Sequence, residues 1–283
     1  MTSITLNNGV EIPQIGFGIF QVPDLAQCEA VVLTALEVGY RHIDTAAAYM
    51  NEVAVGRAIK KSGIPREDLF VTTKLWVQDF GYEKAKAGIQ RSLAELDLDY
   101  INLVLLHQPV GDYIGAWHAL EEAYKDGRIR AIGISNFYAE RLADFCETVD
   151  ILPAVNQIEA HPFFQRDREL AIAKEYGVAT EAWGPFAEGK FNIFSHPVLT
   201  EIGQQYGKTA AQVALRWNLD RGVIVLPKSV NKDRIEANID VEDFHLSEAD
   251  FAKIAELDMG HSEIVNHYDP AYIKMLHKVT FHD

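Results

Sequence analysis

INLVLLH, residues 101–107, gives the clearest strand signal in the sequence. Five of its first six positions are apolar, and the run ends in a histidine. A short apolar run of this kind is typical of a strand buried on both faces, as in a parallel sheet. The amphipathic pattern Ala116–Asp126 follows it and predicts a helix. Together they predict one strand–helix unit whose strand ends in a polar side chain.

The same alternation of apolar run and amphipathic stretch recurs along the chain. The predicted strands are Ile15–Gly18, Arg41–Asp44, Leu69–Lys74, Leu103–His107, Ala131–Ser135, Ala154–Gln157, Ala179–Trp183 and Val223–Pro227. The main predicted helices are Asp24–Val38, Glu52–Ser62, Tyr82–Leu96, Ala116–Asp126, Ala139–Thr148, Asp167–Tyr176 and Ala210–Asp220. Without a Pro/Gly-rich linker, this alternation predicts an α/β fold, a single (β/α)8 TIM barrel domain over residues 1–283. A doubly wound open sheet, which needs fewer strands, is the alternative.

Two further elements are predicted outside this alternation. Residues 4–12 alternate apolar and polar side chains around Asn8-Gly9, a pattern that predicts an N-terminal β-hairpin with a two-residue turn. Near the other end, Ser247 and Asp250 occupy the N-cap and N3 positions of a capping box. A helix is therefore expected to begin immediately after Ser247.

Composition excludes several classes of partner. The 26 basic and 41 acidic residues give a net charge of −15 over 283 residues. This balance argues against a nucleic-acid or membrane-surface partner, since such binding rests on cationic patches. No basic segment leads into an apolar N-terminal run, and no stretch approaches about 18 apolar residues, so a cytoplasmic location is predicted. Cys28 and Cys146 are interpreted as reduced apolar fillers, with a disulfide as the alternative.

Polar or functional side chains end seven of the predicted strands. In a barrel, the carboxyl ends of the strands carry the chemistry and the opposite ends carry stability. Each side chain alone has a structural explanation, such as a helix cap or a lysine at the rim, but together they predict an active site. In chain order they are Asp44, Lys74, His107, Ser135-Asn136, Gln157, Trp183 and Lys228.

Tyr49 lies in the loop after the second predicted strand, and small residues separate it from Asp44. This loop is expected to fold back over the barrel mouth and bring the phenol near Lys74. A free phenol titrates at about pH 10, and an adjacent cation lowers that pKa, which makes the group a better acid near neutrality. Asp44, Tyr49, Lys74 and His107 are therefore the predicted catalytic residues.

Seven motifs between residues 39 and 238 resemble, in order, those of the aldo-keto reductases. They are GYRHIDTAAAYMNE, VTTKLW, LLHQP, GISNF, VNQIEAHP, EAWGPFAEGK and LPKSVNKDRIEAN. The sequence is most similar to the branch that includes bacterial 2,5-diketo-D-gluconate reductases and prostaglandin F synthase-like reductases. The resemblance implies an oxidoreductase that reduces aldehydes and ketones with NADPH by hydride transfer. It also implies a small-molecule carbonyl substrate, no metal, and a monomer.

The resemblance further implies a role for each matching residue. Tyr49 would be the general acid, its pKa lowered by Lys74 paired with Asp44. His107 would orient the carbonyl and stabilise its oxygen. Ser135, Asn136 and Gln157 would hold the nicotinamide carboxamide, and Trp183 would stack on the nicotinamide ring. The remaining cofactor contacts would be Gly184, Phe186 and Glu188 at the pyrophosphate, and Lys228, Ser229, Val230, Arg234 and Asn238 at the adenosine phosphate.

The substrate pocket is the least constrained part of the site. Phe20, Trp76 and His107 are predicted to line it. Gln108 stands where several animal members have Trp, so part of their aromatic wall is expected to be missing. The segment after Met259 carries no motif and corresponds to the C-terminal substrate loop, the part of the family that varies most.

Three competing patterns are weaker. Gly-Phe-Gly at 16–18 begins a dinucleotide fingerprint, but Gln21 replaces its third glycine. Residues 184–190, GPFAEGK, match a phosphate loop, but Phe191 stands where a Ser or Thr would ligate magnesium. Five of the ten histidines lie at or after residue 245 without zinc-site spacing, and they are interpreted as part of a solvated tail.

Two other functions stay open at this point. Lys74 at a barrel rim would form a Schiff base with a carbonyl substrate in a barrel aldolase, although the nearby Asp44 keeps the lysine charged. The non-enzyme alternative is a sensor subunit that binds NADPH without turning over a carbonyl compound.

Overall fold

The computed structural model of this protein describes residues 2–282. A two-stranded antiparallel hairpin, β1 (Ser3–Thr5) and β2 (Glu11–Pro13), precedes an eight-stranded parallel sheet. Each strand of this sheet pairs with the next one along the chain. The sheet strands are β3 (Phe17–Gly18), β4 (His42–Asp44), β5 (Phe70–Leu75), β6 (Ile101–Leu106), β7 (Ile129–Ser135), β8 (Val155–Glu159), β9 (Ala179–Trp183) and β10 (Ile224–Val225).

Backbone hydrogen bonds between the first and last strands close the sheet into a barrel. The amide of Gly16 donates to the carbonyl oxygen of Val225 at 2.9 Å, and the amide of Val225 donates to that of Gln14 at 2.9 Å. A third bond joins the Gly18 amide to the carbonyl oxygen of Pro227 at 3.1 Å. The predicted (β/α)8 TIM barrel with an N-terminal hairpin is confirmed, and the open doubly wound sheet is excluded.

Helices surround the barrel. They are α1 (Leu25–Val38), α2 (Glu52–Ser62), α3 (Tyr82–Leu96), α4 (Tyr113–Lys125), α5 (Ala139–Thr148), α6 (Asp167–Glu175), α7 (Pro197–Tyr206), α8 (Ala210–Asp220), α9 (Lys232–Ile239), α10 (Glu248–Ala255) and α11 (Pro270–Leu276). Helices α2, α3, α5 and α8 have the predicted bounds. Helices α7, α9 and α11, of seven to ten residues each, are additional and were not predicted. Among residues 2–282, no helix is both long and apolar enough to cross a membrane.

The capping box before α10 is confirmed. The Ser247 hydroxyl accepts from the Asp250 amide at 3.2 Å, and Asp250 Oδ2 accepts from the Ser247 amide at 3.0 Å. This exchange satisfies two of the amides that a helix start leaves without partners. The shorter Asp therefore substitutes for the Glu that this motif more often carries.

The hairpin closes the amino-terminal end of the barrel. Leu6 and Ile12 pack with barrel side chains that include Leu103, Leu105 and Ile224 in one apolar cluster. Ile12 is completely buried. The apolar faces of the hairpin and of the barrel floor therefore cover each other, as the alternating pattern requires.

The hairpin turn has three residues, so the prediction of a two-residue turn is wrong. The Leu6 amide donates to the carbonyl oxygen of Val10, so three residues separate the paired positions. A two-residue turn of the predicted kind needs positive φ at both central residues, and of the turn residues only Gly9 has it, at 84°. The chain instead uses a three-residue turn that ends in a left-handed glycine.

A second, larger apolar core lies between the sheet and the helices. Cys28 in α1 and Cys146 in α5 belong to it, and both are free thiols, as predicted. Burial raises the pKa of Cys28 to about 12 and that of Cys146 to about 11, so both stay protonated at neutral pH.

Candidate active site

A cavity of about 770 Å³ opens at the carboxyl ends of the barrel strands. It gathers side chains from most of the strand ends and from the loops that follow them. The predicted site residues that line it are Phe20, Asp44, Tyr49, Trp76, His107, Ser135, Asn136, Gln157, Trp183, Gly184, Phe186, Glu188 and Lys228. Residues predicted from widely separated parts of the sequence therefore meet at one place.

Lys74 is the centre of a buried polar network beneath this cavity. Its Nζ donates to Asp44 Oδ1 at 2.6 Å and to the carbonyl oxygen of Thr45 at 2.9 Å. The Tyr49 hydroxyl oxygen lies 3.4 Å from the same Nζ. The Lys74 side chain is 0% exposed, and an ammonium at such depth is stable only when it is paired. Carboxylate, ammonium and phenol therefore form one contiguous group.

The loop after β4 brings Tyr49 to this network. A short 3-10 helix, Ala47–Tyr49, forms its turn, and the alanines allow close packing over the barrel mouth. Asn51 holds the loop in place, because its Nδ2 donates to the carbonyl oxygens of Ile19 and Val22 at 3.2 Å. Its Oδ1 accepts from the Thr45 hydroxyl at 2.8 Å. The position of Tyr49 thus depends on hydrogen bonds at both ends of its loop.

Burial and charge act on these groups in opposite directions. The pKa of Tyr49 is raised, because burial outweighs the nearby Lys74 ammonium, which acts to lower it. The expectation that Lys74 brings this pKa below its ordinary value is therefore wrong for the free protein. The pKa of Lys74 is also raised: burial lowers it, but the Asp44 carboxylate and its hydrogen bond to Nζ prevail. Lys74 is therefore cationic and Tyr49 is protonated at neutral pH.

His107 faces the phenol from the end of β6. Its ring centroid lies 5.7 Å from that of Tyr49, edge to face, and 5.1 Å from that of Trp76. Burial and the Lys74 charge hold the pKa of His107 well below its ordinary value. The imidazole is therefore neutral and offers one N–H donor.

Gln157 joins this group to a carboxylate that sequence reasoning missed. Its Nε2 donates to Asp44 Oδ2 at 2.9 Å and to Glu181 Oε2 at 2.7 Å. Glu181 lies in the middle of β9 and is completely buried. Burial and the neighbouring Asp44 raise its pKa to about 8. A charged residue inside a strand buried on both faces was the available signal, and it was not used.

Ser135, Asn136 and Trp183 are tied together at the same rim. Trp183 Nε1 donates to Asn136 Oδ1 at 2.9 Å, and Asn136 Nδ2 donates to the carbonyl oxygen of His107 at 3.1 Å. The Ser135 hydroxyl donates to the carbonyl oxygen of Gln157 at 2.8 Å. Asn136 has a φ of 65°, a left-handed conformation that asparagine tolerates better than most residues. These bonds fix the three side chains relative to one another.

The predicted phosphate contacts lie at the edge of the cavity and beyond it. Gly184, Phe186 and Glu188 lie in and just before the irregular 3-10 segment Ala187–Ser195, and the Glu188 side chain is exposed. Lys228 is the last of the predicted residues that line the cavity. Ser229, Val230, Arg234 and Asn238 do not line it and lie between β10 and the end of α9.

Arg234 lies in the first turn of α9 with its side chain exposed. The helix start is fixed by Asn231, whose Oδ1 accepts from the Arg234 amide at 3.1 Å. Within residues 2–282, the Arg234 guanidinium makes no hydrogen bond or ion pair. A cation held at a fixed backbone position without a partner suits an external anion.

The C-terminal segment completes the outer wall. Trp76 Nε1 donates to the carbonyl oxygen of Val279 at 2.9 Å, and the Phe281 amide donates to Gln78 Oε1 at 2.9 Å. His267 lines the cavity, and its Nδ1 pairs with the Tyr138 hydroxyl at 2.8 Å. The interpretation of the C-terminal histidines as a solvated tail therefore holds for the exposed His245, His261 and His277 and is wrong for His267, which lines the cavity. No sequence motif indicates the contacts of this segment, because they join residues 129 to 203 positions apart.

The other cavity-lining residues of this segment were likewise not predicted. They are Ile264, Val265, Tyr272 and Phe281. The Phe281 ring centroid lies 5.4 Å from that of Trp76 in an edge-to-face contact. Phe20 and Trp76, which were predicted, line the cavity with the Phe20 side chain 49% exposed. This side of the cavity is therefore largely aromatic and apolar.

Comparisons with known proteins agree with this geometry. A sequence model of the Aldo/keto reductase family matches residues 14–259. A glyoxal reductase of Bacillus subtilis is 44% identical over 256 residues, covering 90% of this chain and 92% of its own. A 9,11-endoperoxide prostaglandin H2 reductase of Trypanosoma cruzi is 43% identical over 256 residues, covering 90% of each chain. The crystal structure of a Bombyx mori aldo-keto reductase in complex with NADP has a TM-score of 0.89 at 34% identity, covering 96% of each chain.

Proposed function

This chain belongs to the aldo/keto reductase family, and from that premise we propose that it reduces aldehydes and ketones to alcohols with NADPH. One observation carries the proposal: the Tyr49 hydroxyl at the cavity lies 3.4 Å from the buried Lys74 Nζ. The relatives named as reductases, and the Bombyx mori neighbour in complex with NADP, support the same reaction and cofactor. The proposed unit of function is one domain, residues 1–283, working as a monomer.

The side chains around the cavity fit NADP(H). The side-chain oxygen of Gln157, Oε1, has no hydrogen-bond partner within residues 2–282 and suits the NH2 of a carboxamide, whereas its backbone carbonyl oxygen already accepts from Ser135 and Asn136. Trp183 offers an indole beside it for stacking, and Ser135 and Asn136 complete this part of the site. Lys228 and the unpaired Arg234 suit phosphate, which arginine grips with a bidentate fork. When bound, the cofactor would supply the hydride that the protein itself lacks.

Tyr49 is the proposed proton donor to the carbonyl oxygen. Its raised pKa keeps the hydroxyl protonated, and Lys74 limits the energetic cost of giving the proton up. Asp44 holds the Lys74 ammonium in place through the 2.6 Å bond. His107, neutral and facing Tyr49, would donate a second hydrogen bond to the same oxygen.

The remaining predicted residues form the proposed phosphate side. Gly184, Phe186 and Glu188 would contact the pyrophosphate, with the exposed Glu188 side chain turned to solvent and its amide toward the cofactor. The adenosine-phosphate end would be held by Lys228, Ser229, Val230, Arg234 and Asn238. The substrate pocket would be formed by Phe20, Trp76 and His107.

The two competing functions have weaker support. A Schiff-base nucleophile must be a neutral amine, whereas Asp44 raises the pKa of Lys74 and keeps it charged. A sensor subunit has no use for a phenol, an ammonium and an imidazole gathered at one cavity. Borohydride trapping of a substrate adduct on Lys74 would favour the first, and NADPH binding without turnover would favour the second.

The test is NADPH oxidation, followed by absorbance, with matched substrates in three classes: simple aldehydes, keto-sugars and α-dicarbonyls, including glyoxal. We expect stoichiometric conversion of carbonyl to alcohol for at least one class, unaffected by EDTA. Tight NADPH binding with no turnover in any class would contradict the proposal. Loss of activity in EDTA that zinc restores would contradict the metal-free mechanism.

A further inference from the structure

We propose that Glu181 is a positioning residue that holds the Gln157 amide in one orientation, so that the site reads the carboxamide of the cofactor. Glu181 lies on β9, beside Gln157 on β8, and the two residues are paired in the sheet register. The inference rests on the proposed use of NADP(H), and it gives a role to a residue that opens the motif EAWGPFAEGK but is absent from the predicted contacts.

The Gln157 amide has both of its N–H groups occupied. One points to Asp44 Oδ2 at 2.9 Å and the other to Glu181 Oε2 at 2.7 Å. Rotating the amide by half a turn would place its oxygen against the Asp44 carboxylate and would remove the N–H donor from Glu181 Oε2. The observed orientation satisfies both neighbours, and it leaves the side-chain oxygen Oε1 of Gln157 available to the cavity that this residue lines.

An oxygen fixed in this way accepts hydrogen bonds and cannot donate them. A carboxamide NH2 has the matching donor, whereas an acetyl group in the same place has none. The site is therefore selective for a carboxamide because Asp44 and Glu181, which lie behind Gln157, fix the orientation of its amide. Asp44 accepts one of these bonds and also holds Lys74, so among the described residues Glu181 is the one acceptor from the Gln157 side chain that does not also bind Lys74.

The electrostatics around Glu181 are compatible with this role. Burial and Asp44 raise its pKa to about 8, so it is mostly neutral at pH 7 and adds little second negative charge beside Asp44. A neutral carboxyl group still accepts from Gln157. Lys74 is the nearby cation, and His42 Nε2 lies 3.7 Å from Glu181 Oε1. Burial lowers the pKa of His42 to about 3, so this histidine is neutral and forms no ion pair there.

The experiment compares the dissociation constants of NADP⁺ and its 3-acetylpyridine analogue, measured by tryptophan fluorescence. The analogue carries a methyl group where the carboxamide has NH2. One neutral hydrogen bond corresponds to roughly a 2–10-fold preference for NADP⁺ in the wild type. Glu181→Met should bring the two constants close together, whereas Glu181→Gln, which keeps an acceptor oxygen, should retain most of the preference. Glu181→Ala repeats the test with a smaller side chain, in case Met does not fit.

The outcomes separate this inference from a structural role and from the proposed function. If Glu181 had a merely structural role, Glu181→Met would weaken the binding of both ligands equally. The ratio of the two dissociation constants would then stay unchanged, and this result would overturn the inference. Loss of the preference in Glu181→Gln as well would also overturn it, since an acceptor is retained there. A wild-type protein that binds both ligands equally refutes the role of Glu181 alone. One that binds neither refutes the proposed function too.

Discussion

The two ends of the barrel are built on opposite principles. At the amino end, Leu6 and Ile12 of the hairpin pack on Leu103, Leu105 and Ile224, and the contact is wholly apolar. At the carboxyl end, fully buried charged and polar side chains surround Lys74, and the space above them is open. The same strands therefore contribute burial at one end and reactive groups at the other.

This difference shows where stability and chemistry are separated within one sheet. Apolar burial contributes about 25 cal/mol per Å², while a buried ion pair contributes little net stability because desolvation offsets it. We therefore expect changes at the amino end to alter unfolding and leave catalysis intact. Changes at the carboxyl end should act mainly on catalysis, cofactor binding and the pH dependence of stability, and four substitutions test this division.

The largest expected effect is on catalysis at the carboxyl end. Tyr49→Phe removes the proposed proton donor, and positioned acids typically contribute about 10²–10⁴-fold to the rate. We expect kcat for carbonyl reduction to fall by that factor, with folding and NADPH binding unchanged. Tyr82→Phe, at an exposed tyrosine on α3, is the matched control and should keep full activity. If Tyr49→Phe retained more than about a tenth of the wild-type kcat, Tyr49 would not be the acid.

The next effect is on stability at the amino end. Ile12 is 0% exposed in the apolar cluster, and shortening a buried isoleucine to alanine costs about 2–5 kcal/mol. Ile12→Ala should lower the free energy of unfolding in urea by this amount. The kcat and the dissociation constant of NADPH should stay at wild-type values. A drop in kcat under conditions where the variant is fully folded would show that the two ends are coupled.

A third prediction concerns cofactor choice. Arg234→Ala removes the cation proposed for the 2′-phosphate, and a hydrogen bond to a charged group corresponds to roughly 10–150-fold in affinity. The affinity for NADPH should fall by that factor, and the affinity for NADH should be nearly unchanged. The salt dependence of NADPH binding should become weaker. Lys232→Ala, at an exposed cation two residues earlier in α9, controls for net charge. An equal loss of affinity for NADH would mean that Arg234 stabilises the loop and does not bind the 2′-phosphate.

The smallest effect is a change in pH dependence. The folded protein raises the pKa of Glu181 from 4.5 to about 8, so between these values the unfolded chain has lost a proton that the folded chain retains. The contribution of Glu181 to stability should therefore fall as pH rises through this window, by at most about 1.4 kcal/mol per pH unit. Glu181→Gln should flatten this fall in urea titrations at pH 5–8. Burial also raises the pKa of Glu52 to about 7. This residue is present in both proteins, so its contribution cancels when the two pH profiles are subtracted.

The sequence predicted the framework of this protein because that framework is periodic. Apolar runs alternating with amphipathic stretches marked the barrel, and polar residues at strand ends marked the cavity. Asp44, Lys74, His107 and Gln157 were found in this way, since a strand end has a fixed place in a barrel. Tyr49 was found because small residues allow its loop to reach Lys74.

The features that the sequence did not predict depend on the burial of a side chain or on contacts between residues that are far apart along the chain. The direction of the Tyr49 pKa was wrong because burial, its largest cause, is a property of the folded state. Glu181 was overlooked because its partners, Asp44 and Gln157, are far from it in sequence. The wall formed by His267 and Phe281 was missed because a segment without periodicity gives no sign of where it packs.

The contact between the first and last strands, which closes the barrel, also has a consequence for how the chain folds. The strands that meet there, β3 and β10, have two residues each, and about two hundred residues separate them along the chain. Such a contact forms late, because the entropy of closing so long a loop must be overcome first. Until then the sheet has two open edges, which are sites for pairing with other chains. Because each edge offers only two residues, a newly made chain has little backbone on which aggregation can begin.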